Sequence, residues 1–440
     1  MAIKQLDNLG QDIFMQRYAY PGETKYSERC KAMAKHVASS ESEDEIEKQE
    51  KRFYDALSTG DLVPGGRIIY GAGRIHQNLL NCYAIEPEDS VESIGKTIQD
   101  MYRISCGGGG IGFNFSKLRP KGDDIGNVKN SAPGSVSVMQ MINEVGNHVK
   151  AGKNRRTALM AQLNVDHPDL LEFLHVKLDL SQLTNFNISV AITDKFIEAC
   201  ENNDNWEFKF NNKRYKVYQT NRLSSDGTSE VINIVALSQE DALERAKLHH
   251  LNLWNDTFED VQEVNFKAID LWDRLWENAV KSGEPGIFNL SLTNRYTNMS
   301  YFLKMNATNP CGEIPLDSYA NCCLGHINLS NMVNEEGSDL DWNRLARTIR
   351  TGIRFLDNVL TVNHYPLEEC KTAGDRSRRI GLGTMGLHHM LIKLRIKYGT
   401  EKSIEFIDRL YTTIRNESYL SSVYLSRERG SFPEFNYKKY

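Results

Sequence analysis

The spacing of hydrophobic and polar positions changes period several times along this chain, and each change predicts an element. Within residues 1–60, Ile46, Phe53, Tyr54 and Leu57 fall on one helical face among charged neighbours, and Thr59-Gly60 ends the run. That segment is expected to be helical. Val63 to Gly73 is rich in glycine and lacks a helical period, so it reads as a strand entering a loop where the backbone approaches another group closely. Leu79 to Ile85 is an apolar run of strand length with Cys82 in its middle. Ile111, Phe113 and Phe115 alternate with small and polar residues as a strand does. Val165 to Leu174 predicts a helix with Pro168 suited to its first turn, and Asn185 to Ile192 predicts the next strand.

Residues 206–250 read as an insertion, within a hairpin–helix unit covering residues 203–255. Trp206, Phe208 and Phe210 alternate, Asn211-Asn212 offers a turn, and Tyr215 and Val217 alternate back. Ser238 with Asp241 three positions on caps a helix through His250. Neighbours in sequence point apart on a helix, so His249 and His250 mark a helix end rather than a metal pair. Ile269, Trp272, Trp276 and Ala279 predict one amphipathic helix, and Leu345, Ile349, Ile353, Leu356 and Leu360 predict a second. A third runs from Ile404 to Leu425, with Gly430 just beyond it. Strands alternating with helices predict an α/β fold with a barrel as its leading form. The expected organisation is a helical segment over 1–60 and a barrel over 61–440.

Composition narrows the function classes. At 440 residues the chain exceeds one ordinary hydrophobic core. Its 53 basic and 58 acidic residues leave a net charge of −5, too balanced to indicate nucleic acid as a partner. No window approaches the roughly 18 apolar residues of a membrane span. The N-terminus lacks a basic start followed by an apolar core, so no signal peptide and a cytoplasmic location are expected. None of the 8 cysteines forms a C-x-x-C pair or precedes histidines at zinc-ligand spacing, so neither a metal site nor a disulfide framework is expected.

Two segments carry candidate chemistry. Gly107, Gly109 and Gly112 match a dinucleotide-binding G-x-G-x-x-G. That motif should open a helix, whereas a strand pattern follows here, so a tightly packed turn is expected and a dehydrogenase is not. From Ala307 to Leu316, an amide (Asn309), a thiol (Cys311) and a carboxylate (Glu313) recur at every second position. In an extended segment the three would share one face, with Pro310 and Gly312 on the other phase. Three polar functions on one face are costly to bury unless they serve each other or a ligand.

The run Asn309-Pro310-Cys311-Gly312-Glu313-Ile314-Pro315-Leu316 resembles the finger loop of ribonucleotide reductase catalytic subunits, in the form typical of the adenosylcobalamin-dependent class. Leu80-Asn81-Cys82 with Glu86 and Asp89-Ser90 resembles the family's first redox-cysteine strand. Further segments are similar in order along the chain. These are Gly110 to Ser116 with Leu118-Arg119 and Gly122; Gly152 to Ala158; and His167-Pro168-Asp169 with Phe173-Leu174 and Lys177. Gly283 to Gly286, Cys322 to Gly325 with Asn328-Leu329, Arg378 to Gly383 and Gly430 to Phe432 complete the series.

The resemblance implies a ten-stranded β/α barrel, two parallel five-stranded halves antiparallel to each other around the finger loop, here incomplete at the C-terminus. It implies a thiyl radical at Cys311 that abstracts the 3′-hydrogen of a ribonucleotide substrate, with Glu313 as general base on the 3′-hydroxyl. Asn309 would hydrogen-bond the sugar hydroxyls. Cys82 and Cys322 would supply two electrons while closing to a disulfide. Cys323 is then a structural neighbour, and Cys30, Cys106, Cys200 and Cys370 belong to packing. Asn81, Gly110, Pro310 and Gly312 are the implied substrate-binding positions. The implied cofactor is adenosylcobalamin, with an external dithiol from a thioredoxin- or glutaredoxin-like reductant. A deoxynucleoside triphosphate effector is expected at two loops, Asp124 to Ser135 and Leu178 to Phe186, with Asp124, Ser131 and Lys177 as binding residues. The family's ATP-cone is not matched, so no overall-activity site is expected. Neither its phosphate-holding turn nor its cysteine-bearing tail is matched by residue 440, so the chain is expected to be truncated, minimal, or completed by a second polypeptide. Two alternatives remain open at this point: a catalytic subunit needing a metallo-radical partner, and a nucleotide-binding fragment inactive alone. Tyr437 and Tyr440 are not expected to be the radical-relay pair of the former.

Overall fold

The N-terminal periodicity folds as three helices, α1 (Asn8–Arg17), α2 (Tyr26–Ala38) and α3 (Ile46–Ser58). This is seen in a computed structural model that describes residues 5–75, 77–149, 157–223, 229–249 and 257–439. Asp7 caps α1 by accepting the Gly10 N–H at 2.7 Å. Cys30, Met33 and Val37 of α2 and Phe53 and Leu57 of α3 are fully buried, as the apolar faces require. The glycine-rich stretch departs from expectation: β1 is confined to Leu62–Pro64, and Gly66–Gly71 is a short helix, α4. The close approach is at Gly65, where an added Cβ would lie 2.8 Å from the Asn81 amide and 3.0 Å from the Leu324 carbonyl. Burial of Arg67 and Ile68 outweighs the weak helix propensity of the glycines.

The chain divides into two units, one made of residues 1–82, 107–109 and 319–440, the other of residues 83–106 and 110–318. Next in order come β2 (Cys82–Ile85), α5 (Val91–Cys106), β3 (Gly110–Asn114), α6 (Gly134–His148), β4 (Leu159–Asn164), α7 (Leu170–Val176), β5 (Phe186–Ile192) and α8 (Asp194–Glu201). The glycine run thus leaves a helix and enters a strand, the reverse of a dinucleotide-binding turn. β3, β4 and β5 run parallel, with Phe113 beside Ala161 and Ala161 beside Ile188. Ile111, Phe113 and Phe115 occupy one phase of β3 and its extension, and the Phe113 and Phe115 rings stack at 5.5 Å.

The unit around 203–255 holds more strands than expected: β6 (Phe208–Phe210), β7 (Lys213–Leu223), β8 (Ser229–Ala236), α9 (Gln239–His249) and β9 (Thr257–Val264). β7 is central, antiparallel to β6, β8 and β9. The Ser238 cap forms as read, its Oγ accepting the Asp241 N–H at 3.1 Å while Asp241 accepts the Leu237 N–H at 2.7 Å. His250 and the polar loop 224–228 lie outside the described residues. Then follow α10 (Ala268–Ser282), β10 (Gly286–Asn289), which runs parallel to β5, α11 (Leu290–Tyr296), β11 (Ala307–Thr308) and β12 (Pro315–Leu316). The stripe read on α10 is rotated in the structure. Ala268, Leu271 and Leu275 are buried, whereas Trp276 is 49% exposed and packs its edge on Trp272.

The last stretch contains β13 (Asn321–Cys322), β14 (Leu324–Asn328), α12 (Trp342–Val362), α13 (Glu368–Ser377), β15 (Gly381–Met385), α14 (Leu387–Lys393) and α15 (Glu401–Arg429). β14 pairs antiparallel with β1 and parallel with β15. All five stripe residues expected on α12 are buried. Leu356 of α12 closes onto Gly325, and Gly352 of the same helix receives Leu382 of β15. Among the described residues, no helix is long and apolar enough to cross a membrane.

Candidate active site

β11 and β12 form a two-stranded hairpin, Ala307 opposite Leu316 and Thr308 opposite Pro315. The residues between them do not form the extended face expected from their spacing. The Gly312 N–H donates to the Asn309 carbonyl at 3.0 Å, closing a turn over 309–312. Pro310 presets φ at the second turn position, and Gly312 supplies the left-handed φ of +83°. Asn309 is consequently turned inward and fully buried, its Oδ1 accepting the Ile314 N–H at 3.0 Å. Cys311, Gly312 and Glu313 are exposed at the tip. The amide shapes the turn; the thiol and carboxylate are displayed by it. The Pro-x-Gly spacing was the available turn signal.

The parallel sheet seats this hairpin. Gly110, Gly112 and Asn114 occupy the phase of β3 opposite its phenylalanine core. A Cβ on Gly112 would fall 1.6 Å from the Thr308 carbonyl oxygen, and one on Gly110 would fall 2.8 Å from the Pro310 ring. Asn114 donates to the Asn306 carbonyl at 2.5 Å. Fully buried Gln162 of β4 accepts the Thr308 N–H at 3.0 Å and donates to the Thr308 hydroxyl at 2.8 Å. Asn187 of β5 donates to the Pro310 carbonyl at 2.9 Å. Strand register places Gly112 beside Met160 and Met160 beside Asn187, so these groups share one face. Gln162 and Asn187 escaped the sequence reading; an amide inside an otherwise apolar strand run was their signal. Of the substrate-binding positions expected, Gly110, Pro310 and Gly312 meet here, while Asn81 belongs to the other unit.

In that other unit, the Asn81 N–H donates to the Cys322 carbonyl at 3.3 Å, which makes the segments bearing Cys82 and Cys322 neighbours. Both side chains are buried. Cys323 instead donates to the Leu356 carbonyl of α12 at 3.4 Å, and burial with nearby Asp357 pushes its thiol well above the usual range. Successive residues of an extended chain face opposite ways, so Cys322 points away from α12. None of the eight cysteines is disulfide-bonded. Cys30 and Cys370 are packing residues as read, and burial pushes the Cys30 thiol up to about 12. Cys106 is exposed and Cys200 half-buried, a correction to the packing role read for both. α5 turns Thr97, Met101 and Ile104 inward and leaves Cys106 at its open end. Among the described residues, no cluster of three or more His, Cys, Asp or Glu could hold a metal ion.

The first of the two loops expected to bind an effector carries internal hydrogen bonds. The Ile125 and Val128 backbones exchange hydrogen bonds at 2.9 and 3.0 Å, Ser131 donates to the Val128 carbonyl at 2.9 Å, and Asp124 accepts the Asn130 N–H at 3.0 Å. Asp169, of the His-Pro-Asp run, accepts the Lys121 and Ser135 N–H groups, each at 2.8 Å, and so holds both ends of this loop. Lys177 is buried and donates to the Leu183 and Phe186 carbonyls at 3.3 and 3.1 Å, securing the second loop. Burial pushes the Glu284 carboxyl up, opposed by Lys177 at 4.0 Å. Residues 152–156 of the Gly152 to Ala158 segment lie outside the described residues.

The site is thus a thiol-tipped hairpin seated on a parallel α/β sheet. Residues 80–440 match a profile described as the ribonucleotide reductase barrel domain, and residues 4–77 match the ribonucleotide reductase all-alpha domain. The chain belongs to the ribonucleotide reductase large-subunit family. It is 34% identical over 383 residues to a vitamin B12-dependent ribonucleoside-diphosphate reductase of Thermoplasma acidophilum, covering 87% of this chain and 44% of that protein. A protein of the same description from Mycobacterium tuberculosis is 32% identical over 386 residues, covering 88% and 49%. The alpha subunit of a ribonucleoside-diphosphate reductase from Chlamydia pneumoniae is 27% identical over 399 residues, covering 88% and 36%. The chain therefore spans about half the length, or less, of these relatives.

Proposed function

We propose that this chain reduces ribonucleotides, as diphosphates by the names of its relatives, to 2′-deoxyribonucleotides for DNA precursor synthesis, by thiyl-radical chemistry at Cys311. The observation that carries this reading is the finger: a thiol and a carboxylate exposed on a turn whose base is seated by Gly112, Gln162 and Asn187. A Cβ added at Gly312 would meet no atom within 4 Å, so the tip beside Cys311 is open, and adenosylcobalamin is the cofactor proposed to act there. When bound, that cofactor supplies the one-electron oxidation of the thiol.

In the proposed sequence, the Cys311 sulfur takes the 3′-hydrogen atom and Glu313 takes the 3′-hydroxyl proton. The 2′-hydroxyl leaves as water, its added proton coming from the Cys82–Cys322 pair. That pair closes to a disulfide, its two electrons and second proton forming the new C2′–H bond; Glu313 returns its proton to the 3′-oxygen and Cys311 its hydrogen to C3′. Asn309 acts first through the turn it holds, with contact to the sugar hydroxyls as its second role. A thioredoxin- or glutaredoxin-like dithiol then reopens the disulfide. Deoxynucleoside triphosphate effectors are assigned to the loops containing Asp124, Ser131 and Lys177, and the cytoplasm is the proposed location.

The test is ribonucleotide reduction with adenosylcobalamin and dithiothreitol. Cys311→Ala should keep the circular dichroism of the parent and lose about a thousandfold or more of turnover; turnover at the parental rate would overturn the assignment. A second reading is that the chain binds nucleotide yet turns over only with a second polypeptide. Calorimetric binding without product, followed by product on adding that polypeptide, would select it.

A further inference from the structure

Asp123, in the loop between β3 and α6, is 6% exposed although its neighbours Asp124, Ile125 and Gly126 are exposed. Its carboxylate is engaged entirely from the β6–β9 and α9 module. Arg245 of α9 donates at 2.8 Å, the Tyr215 hydroxyl of β7 at 2.8 Å and Lys213 of β7 at 3.1 Å. Arg245 is itself 3% exposed, donates to Asp241 at 2.8 Å, and donates to the Lys121 carbonyl of the same loop. Asn130, further along the loop, donates to Glu244 of α9. Burial alone would raise the Asp123 carboxyl, but Arg245, Tyr215 and Lys213 outweigh it and hold the group below the ordinary aspartate range.

Little apolar packing fixes this loop otherwise. Ile125 and Val128 are 43% and 61% exposed, and Gly122 and Gly126 have positive φ. A buried ion with several donors is stable only when the set is complete, so the contact acts as a latch rather than a gradual attraction. The donors come from elements more than 80 residues away in sequence, which makes the latch a property of the module's docking.

We propose that the β6–β9 and α9 module is a clamp on residues 120–132, with Arg245 as its positioning residue, and that it tunes deoxynucleoside triphosphate binding at that loop. The effector part rests on the reading given under the proposed function; the clamp itself does not. Hydrogen exchange of the Gly122, Val128 and Ala132 amides, and titration calorimetry with dATP, dGTP and dTTP, separate the two. Arg245→Gln should speed exchange at these amides about tenfold and weaken the tightest-bound triphosphate about tenfold, leaving effector-free turnover within about twofold. Tyr215→Phe keeps the ring and removes one bond to Asp123, so about threefold effects are expected; it also decides the matter if the arginine variant misfolds. Unchanged exchange in both variants overturns the clamp. Faster exchange with unchanged triphosphate affinity overturns its link to the effector. If the parent binds none of the three triphosphates, the effector reading fails and exchange alone judges the clamp.

Discussion

The finger hairpin and the 120–132 loop are both irregular segments held by polar side chains from other elements, and they are held by opposite means. Neutral amides hold the finger: Gln162 on Thr308 and Asn187 on Pro310 from the sheet, with Asn309 on Ile314 inside the turn itself. An ionic cluster holds the other loop, Asp123 among Arg245, Lys213 and Tyr215. Amide pairs lose little on burial when satisfied and add no charge of their own beside the Cys311 thiol and the Glu313 carboxylate. An ion cluster depends on every member and on pH. A reactive tip benefits from the first kind of support, and a segment that must be set to one position benefits from the second.

The strongest way to break this contrast is Gly112→Ala. Its methyl would enter the Thr308 carbonyl, so the hairpin must lift off β3, and a stability loss of roughly 3 kcal/mol or more is expected in denaturant unfolding. Gly312→Ala meets no neighbour and carries the strain of its positive φ, about 1 kcal/mol. Equal effects of the two substitutions would mean that the finger is not seated on the sheet. Gln162→Leu comes next. It leaves the buried Thr308 N–H without its acceptor, and about 2 kcal/mol of destabilisation is expected, with faster exchange at Thr308. A variant as stable as the parent would remove the amide half of the contrast.

Acidification gives the smallest and most selective effect. The Asp123 carboxyl is depressed in the folded chain, so its stabilisation is complete above the ordinary aspartate value of 3.8 and is lost as pH falls below that. Bringing the pH from 6 to about 3 should loosen the Val128 and Ala132 amides, after correction for intrinsic exchange, more than those of Thr308 and Ile314. Parallel loosening of both sets would show that the ionic latch has no local role.

Much of the architecture was legible. The five-residue stripe of α12 and the alternation Ile111, Phe113, Phe115 follow from 3.6- and 2-residue periods, which local sequence expresses directly. The turn chemistry of Asn211-Asn212 and the Ser238 cap were equally local. The misreadings have non-local causes. α10 buries Leu271 and Leu275 rather than the read tryptophan stripe because the packing partner selects the face. α4 forms among glycines because its side chains find a buried site. Asn309, Cys311 and Glu313 share no strand face because Pro310 and Gly312 close a turn between them.

By itself the order of residues determined which chemistry is present: a thiol and carboxylate beside a Pro-x-Gly turn, two further candidate redox thiols, and the periods of most strands and helices. Only the folded chain decided that Gln162 meets Thr308 across 146 positions and Arg245 meets Asp123 across 122. Side chains so far apart carry no mutual signal in their local pattern. Their pairing arises from strand register and module docking, which depend on the whole packed chain at once.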